Sequence, residues 1–272
     1  MKNILTFIIP VRHPDNAIDW NQIKIKLRET IRSVASQDRD GWKAVIVAND
    51  QAELPDFPNG FEVKRVDFPS NQLFKQGDIG KEEFYEACRF DKGRRVLAGM
   101  LYAGDMGHVM IVDDDDLVSR HLTSFVGSNS GENGWYIREG YIWNDGGMLM
   151  YHYSDFSHLC GTSHIIRADL YKLPSSFNEA EDTYIRHVLG SHIFLHDELD
   201  SSGTPLKPLP FFGAVYRTGH TEAHSRSRTI LGQFFLKKYL LKDPIELYRR
   251  ISRLRIKTKQ VEDEFFGTGS KL

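Results

Sequence analysis

The sequence predicts an α/β domain built on a mostly parallel central sheet, followed by a helical C-terminal appendage. Two continuous apolar runs of strand length, ILTFIIPV at residues 4–11 and WKAVIVAND at 42–50, suit strands buried on both faces of a parallel sheet. Between them Ile23, Leu27, Ile31 and Val34 recur at helical spacing, which completes a strand, helix, strand unit. A third apolar run, HVMIV at 108–112, ends in four consecutive carboxylates, Asp113, Asp114, Asp115 and Asp116. In open α/β sheets that carboxyl edge is where ligands bind.

The other elements follow in chain order. FEVKRVDF at 61–68 reads as a weaker strand, and the polar stretch from Pro69 to about Lys81 as a loop over a site. Residues 82–104 read as helical segments around Gly93, with Val96, Met100 and Ala103 on one face. LVSRHLTSFVG after Asp116 reads as a short helix, and GWYIREGYIWNDGGMLMYH as a hairpin turning at Asn144, Asp145, Gly146 and Gly147. CGTSHIIRADLY reads as strand into helix, and NEAEDTYIRHVLG as a capped helix ending at Gly190. Residues 192–223 are loop-rich, and 227–260 form two helices broken at Asp243 and Pro244. With no internal repeat or low-complexity linker, the expected division is one domain over 1–225 and the appendage over 226–272.

With 272 residues, 40% of them apolar and 12% aromatic, the chain can bury a full core. A formal charge of -2 asks for no nucleic acid. Cys88 and Cys160 stand far apart and in no metal-type pair, which argues against a disulfide framework or zinc ribbon and fits a reducing, cytoplasmic setting. Pro10 and Arg12 interrupt the opening apolar run before a signal-peptide core or spanning helix forms, so the run is expected as the first buried strand.

Four adjacent carboxylates oppose one another's ionisation, so the cluster needs a cation, a helix end or open water. In an extended strand Asp113 and Asp115 share a face while Asp114 points away. Two carboxylates on one face suit a hard divalent cation, Mn2+ or Mg2+. An EF-hand fits poorly, because Leu117 and Val118 stand where that loop needs a ligand and a glycine. The alternative is that Asp115 and Asp116 cap a following helix, whose dipole favours acids. Capping suits Asp116 but leaves four acids behind an apolar strand unexplained.

IPVR closing the first strand, VAND closing the second, KGRRVLAG before HVMIVDDDDLV, and FNEAEDTYIR downstream form an ordered set. The set resembles glycosyltransferase family 2 enzymes of the GT-A, Rossmann-like fold over about residues 3–225. The family's D-x-D-D motif falls on Asp113, Asp115 and Asp116. The resemblance implies a nucleotide-diphosphate sugar donor, UDP-sugar favoured, with Mn2+ or Mg2+ bridging the diphosphate to Asp113 and Asp115, and Asp114 among the donor contacts. It also implies that Pro10, Val11, Arg12, Asn49 and Asp50 hold the nucleoside, although Asn-Asp at a strand end is equally ordinary turn chemistry. Lys92, Arg94 and Arg95 bracket Gly93 and suit diphosphate oxygens, a solvated basic face being the alternative. The family's Ala-Arg-Asn further along this helix is missing from VLAGM.

Inverting sugar transfer needs a carboxylate to take the acceptor hydroxyl's proton. Asp182, with Glu181 beside it, matches the family's catalytic position. On the residues alone, Asn178 and Glu181 have capping-box spacing and Asp182 can pair with Arg186. His220, and after it His224, lies where the family often carries a histidine, a third metal ligand or a diphosphate contact. Trp135, Tyr136, Tyr141 and Trp143 suit either a sugar acceptor or packing within the hairpin.

Beyond Ser225 the chain is strongly basic, with Lys237, Lys238, Lys242, Arg249, Arg250, Arg253, Arg255, Lys257 and Lys259 against Asp243 and Glu246 as far as Gln260. Ile245, Tyr248 and Ile251 lie beside that basic face, which suits either an anionic membrane surface or docking on the domain or on a second subunit of a homo-oligomer. The expected protein is a metal-dependent glycosyltransferase serving a glycan or lipid-linked saccharide acceptor, cytoplasmic or peripheral on the inner membrane face. Its rivals are a non-catalytic nucleotide- or glycan-binding scaffold of the same fold and a sugar-nucleotide pyrophosphorylase. The latter wants a glycine-rich loop after the first strand, and PVRHPDN has no glycine.

Overall fold

The computed structural model describes residues 3–74, 80–219, 229–236 and 243–267. The first strand, β1 (Asn3–Pro10), is apolar on both faces because helices cover both. Phe7 and Ile9 pack with Ile23, Leu27, Ile31 and Val34 of α1 (Trp20–Ala35), whose first turn is capped by the Asp19 carboxylate. Each of these side chains contributes about 1.5–3 kcal/mol through its removal from water. β2 (Trp42–Asn49) and β3 (Phe61–Val66) extend the parallel sheet. Ile8, Val45 and Val47 face the other way, onto Val96, Leu97 and Met100 of α2 (Lys81–Ala103).

α2 runs unbroken through Gly93 rather than as separate segments. The glycine serves a close approach instead: a Cβ built there would lie 2.0 Å from the Ile185 carbonyl oxygen. The helix leads into β4 (Met106–Ile111), parallel to β1, and the acidic residues follow at its carboxyl end. Beyond them come β5 (Leu117–Val118), α3 (Leu122–Ser128) and β6 (Gly134–Tyr136). The predicted hairpin is β7 (Gly140–Asn144) with β8 (Leu149–Tyr153), followed by α4 (Phe156–Leu159) and β9 (His164–Arg167).

The segment after Phe177 differs from the capped helix expected there. Residues 177–179 form their own 3-10 turn, Glu181 takes the cap position without a side-chain bond, and α5 (Asp182–Tyr184) opens into a wider turn over Ile185–Leu189. The region expected as loop then begins with α6 (His192–Ser201), which buries Leu195 and Leu199. β10 (Lys207–Pro208) and β11 (Ala214–Thr218) complete the part before residue 220.

The central sheet has the order β10-β6-β9-β4-β1-β2-β3, with β4, β1, β2 and β3 mutually parallel and β9 antiparallel to both its neighbours. This is the α/β class that the sequence predicts. In the C-terminal residues α7 (Pro244–Ile251) begins at the predicted signal, with the Asp243 carboxylate accepting the Glu246 N–H at 3.0 Å. β12 (Leu254–Ile256) pairs with β8, and α8 (Lys259–Phe265) buries Phe265 beside Trp143. The second sheet therefore runs β12-β8-β7-β11-β5.

In an exposed helix Gly→Ala is worth about 1 kcal/mol of added stability. Gly93→Ala should reverse that sign and lower the urea-unfolding free energy by about 1–3 kcal/mol, because the methyl group meets backbone that cannot move aside. A stabilised variant would show that the approach to Ile185 is looser than described.

Candidate functional site

The strand ends at Ile111, and the next residues turn: the Asp116 N–H donates to the Asp113 carbonyl at 3.2 Å. Strand alternation therefore does not govern the acids, and each meets its own environment. Asp116 is fully buried, accepting the Thr162 hydroxyl at 2.7 Å, the Cys160 thiol at 3.1 Å and the Arg217 backbone N–H at 3.2 Å. It is a structural anchor rather than a helix cap, because β5 and not a helix follows it. Burial, with Asp115 and Asp113 nearby, pushes its pKa well above the ordinary carboxylate value.

Asp114 is also buried and turns to the Arg12 guanidinium, 3.4 Å away. Burial raises its pKa, and Arg12 offsets only part of that. Asp113 forms an ion pair with Lys92, the residue one full turn before Val96 on α2. Burial works against the Lys92 ammonium, yet Asp113 more than compensates and holds its pKa above the ordinary lysine value. Gly161 makes the pair sterically accessible: a Cβ there would lie 2.6 Å from Lys92 Nζ and 2.8 Å from Asp113 Oδ2. Asp115 stays partly exposed.

These groups surround a cavity of about 450 Å³ at the carboxyl edge of β1 and β4. Of the residues singled out in the sequence, Pro10, Arg12, Lys92, Arg95, Asp113, Asp114 and Asp115 line it. Arg95 is 1% exposed and is aimed by the Asn49 side-chain oxygen at 2.7 Å and by Asp91 at 3.1 Å. Although burial opposes it, the charge of Arg95 and Arg94 holds the Asp91 carboxyl below its ordinary pKa.

Other expected residues lie elsewhere. Val11 is core, and Asn49 is fully buried, donating to the Phe68 carbonyl at 2.7 Å and orienting Arg95 rather than facing the cavity. Asp50 is exposed at the turn after β2 and does not line the cavity. Arg94 turns away to Asp91 and the Pro69 carbonyl. Glu181 and Asp182 are not in the lining, and the Asp182 side chain, 69% exposed, lies 3.7 Å from Arg186. The local pairing with Arg186 that the sequence allowed is thus present. His220 and His224 lie outside the described residues. The hairpin aromatics pack: Tyr141 stacks on Phe212, Trp143 meets Phe266 edge-on, and Trp135 contacts Phe125.

Sequence reading missed Ser191, His192, Tyr216 and Arg217, which are also part of the lining. Ser191 takes the cap position of α6 without a side-chain bond, and Gly-Ser before an apolar run is the start signal that marks this helix within the region expected as loop. Arg217 is a lone cation in the apolar strand AVYRT, which is itself a hint of a buried partner. Its guanidinium meets Glu29 at 2.5 Å and Asp145 at 3.4 Å.

No protein-family model matches this chain, and no curated protein matches it in sequence. Solved structures similar in shape include S. aureus TarS, at 13% identity and a TM-score of 0.45, over 80% of this chain and 37% of TarS. TarS 1–349 in complex with UDP aligns at 13% identity and a TM-score of 0.42, over 80% of this chain and 61% of that one. Rv0371C of Mycobacterium tuberculosis H37Rv, in complex with manganese, aligns at 11% identity and a TM-score of 0.40, over 83% of this chain and 97% of its own. The chain thus spans little more than a third of that TarS chain.

Two histidines, His192 in the cavity lining and His164 outside it, resist protonation. Burial, reinforced by His192 and His196, pushes His164 down to about 3, and burial with Lys92 pushes His192 down to about 4. Between the ordinary value of 6.5 and these values the unfolded chain takes up protons that the folded chain refuses. Their stabilising contribution is complete above about pH 6.5 and is lost as the pH falls, at about 1.4 kcal/mol per pH unit for each fully coupled histidine. His164→Gln should flatten the decline in unfolding free energy between about pH 6 and 4.5 by that slope. A decline as steep as the parent's would mean that His164 carries a proton in the fold.

Proposed function

We propose that the cavity holds the diphosphate of a nucleotide-sugar donor and that the protein transfers the sugar to a saccharide or lipid-linked glycan acceptor. One observation carries this reading: Arg12, Lys92 and Arg95 share a single cavity with the partly exposed carboxylates of Asp113 and Asp115 at the carboxyl edge of parallel strands. Basic side chains there suit phosphate oxygens, and the carboxylates suit a cation shared with them.

The donor set fits a divalent cation in part. Among the described residues no group of three His, Cys, Asp or Glu is arranged to hold a metal. Asp113 and Asp115 would hold Mn2+ or Mg2+ jointly with diphosphate oxygens, hard ligands that such ions favour. When bound, the cation would offset the charge that develops on the leaving diphosphate. Arg95, fixed by Asn49 and Asp91, presents its charge without reorganising.

The acceptor's proton needs a base within reach of the reacting atoms, and geometry precedes pKa in choosing it. Asp182 stands outside the cavity lining, whereas His192 lines it and, at about 4, has the basicity of an ordinary carboxylate. On this reading His192 takes the role that family likeness assigns to Asp182. A scaffold without chemistry needs no such group facing the diphosphate, and a pyrophosphorylase, whose attacking phosphate oxygen is already ionised, needs no base for its acceptor.

Calorimetric titration of UDP, then GDP, with and without Mn2+ tests the donor site. UDP should bind only with the metal, and Asp115→Asn should weaken it at least about tenfold, the loss of one charged ligand, without lowering the melting temperature. Unchanged affinity in the variant would remove Asp115 from the site, and no binding of either nucleotide would favour the scaffold. For the base, Asp182→Asn should retain turnover while His192→Asn binds donor and loses turnover by about 100-fold or more. The reverse pattern would return the role to Asp182.

A further inference from the structure

We infer that α7 and β12 form a docking surface for an anionic lipid bilayer, independent of what the cavity binds. The sequence allowed α7's apolar face either to pack on its own domain or to stay free, and the structure separates the two. No residue of α7 is buried, and Ile245, Tyr248 and Ile251 are 72%, 74% and 50% exposed. The ribbon that follows α7 also carries exposed apolar side chains. Ile256 of β12, 65% exposed, stands opposite Leu149 of β8, 49% exposed.

The charge around these residues chooses the occupant. From the Asp243 cap to Lys259 there are six Lys and Arg against two acids, Asp243 and Glu246. Glu246 is already engaged by Arg249 at 3.2 Å and Arg250 at 2.8 Å. Arg255 and Lys259 remain exposed. A second copy docking through the same face in a two-fold pairing would bring these cations against their equivalents, so self-association is opposed where an anionic partner is favoured. Exposed aliphatic side chains and a tyrosine beside arginines are the combination that seats a helix in the headgroup layer, apolar groups inward and cations against phosphates. The same sheet reaches the cavity through Tyr216 and Arg217 of β11, which would hold the site near acceptors presented at the bilayer.

The test is co-sedimentation of the full chain with vesicles of phosphatidylcholine alone and with about 30% phosphatidylglycerol. It needs no nucleotide, so its failure is separate from failure of the donor reading. Binding should require the anionic lipid and weaken with salt. Arg249→Gln with Arg255→Gln should weaken it about 25-fold, roughly fivefold for each cation lost near the surface. Ile245→Ser with Tyr248→Ser should abolish it while the far-ultraviolet dichroism is unchanged. The inference is overturned if the parent chain ignores anionic vesicles, or if either double variant binds as the parent does. It is equally overturned if sedimentation equilibrium shows a dimer that Ile245→Ser with Tyr248→Ser dissociates.

Discussion

The Asp116 carboxylate ties the molecule together. It sits with no exposure just past the central sheet, and its two oxygens take donors from three places: Thr162, Cys160 and the backbone of Arg217 on β11. One buried acid thus joins β4 of the first sheet to β11 of the second and to the chain entering β9. Its own carbonyl accepts the Thr30 hydroxyl of α1 at 2.8 Å, and Ser33 of the same helix and Gln37 just past its end bond Val118 and Ser119 just beyond. Leaving such a carboxylate without these donors would cost several kcal/mol. The burial that raises its pKa is tolerable because every donor around it is already oriented.

That anchor explains how four consecutive acids coexist. A straight strand would have set like charges side by side on each face; the turn sends them apart instead. Asp116 goes inward to neutral donors, Asp114 goes to Arg12, and Asp113 goes to Lys92. Only Asp113 and Asp115 retain exposure to the cavity. Repulsion is relieved by geometry first and by the protein's own cations second, which leaves a site whose net charge is set by a few side chains.

The legible part of the sequence was the part governed by burial on both faces. Apolar runs at 4–11, 42–50 and 108–112 became β1, β2 and β4, and helix-spaced residues became α1, because each needs only its own periodicity to be recognised. The acidic stretch was legible as the carboxyl edge of a buried strand, and three of its residues line the cavity. What was not legible depends on contacts between distant segments. The strand-end Asn49 looks like a ligand contact in isolation and is a support for Arg95 in the fold. Asp182, which only the family resemblance makes catalytic, lies against Arg186 as its neighbours allowed, while His192, ten residues on, meets the cavity where α6 starts.

Glycine carries much of this hidden information. Gly93 and Gly190 let α2 and the segment before α6 approach backbone to backbone, since a Cβ at either would fall about 2 Å from a carbonyl oxygen of the other, Ile185 or Arg89. Gly161 leaves room for Lys92 to reach Asp113. Read along the chain, each marks a break or a turn, the usual meaning of glycine in a helical or strand pattern. In the fold they work together: the first two stand where α2 meets the segment leading to His192, and the third leaves Lys92 room beside the acidic turn, with Lys92, Gly161, Gly190 and His192 all in the cavity lining. The shape of the cavity therefore rests in part on residues that bring no side chain to it.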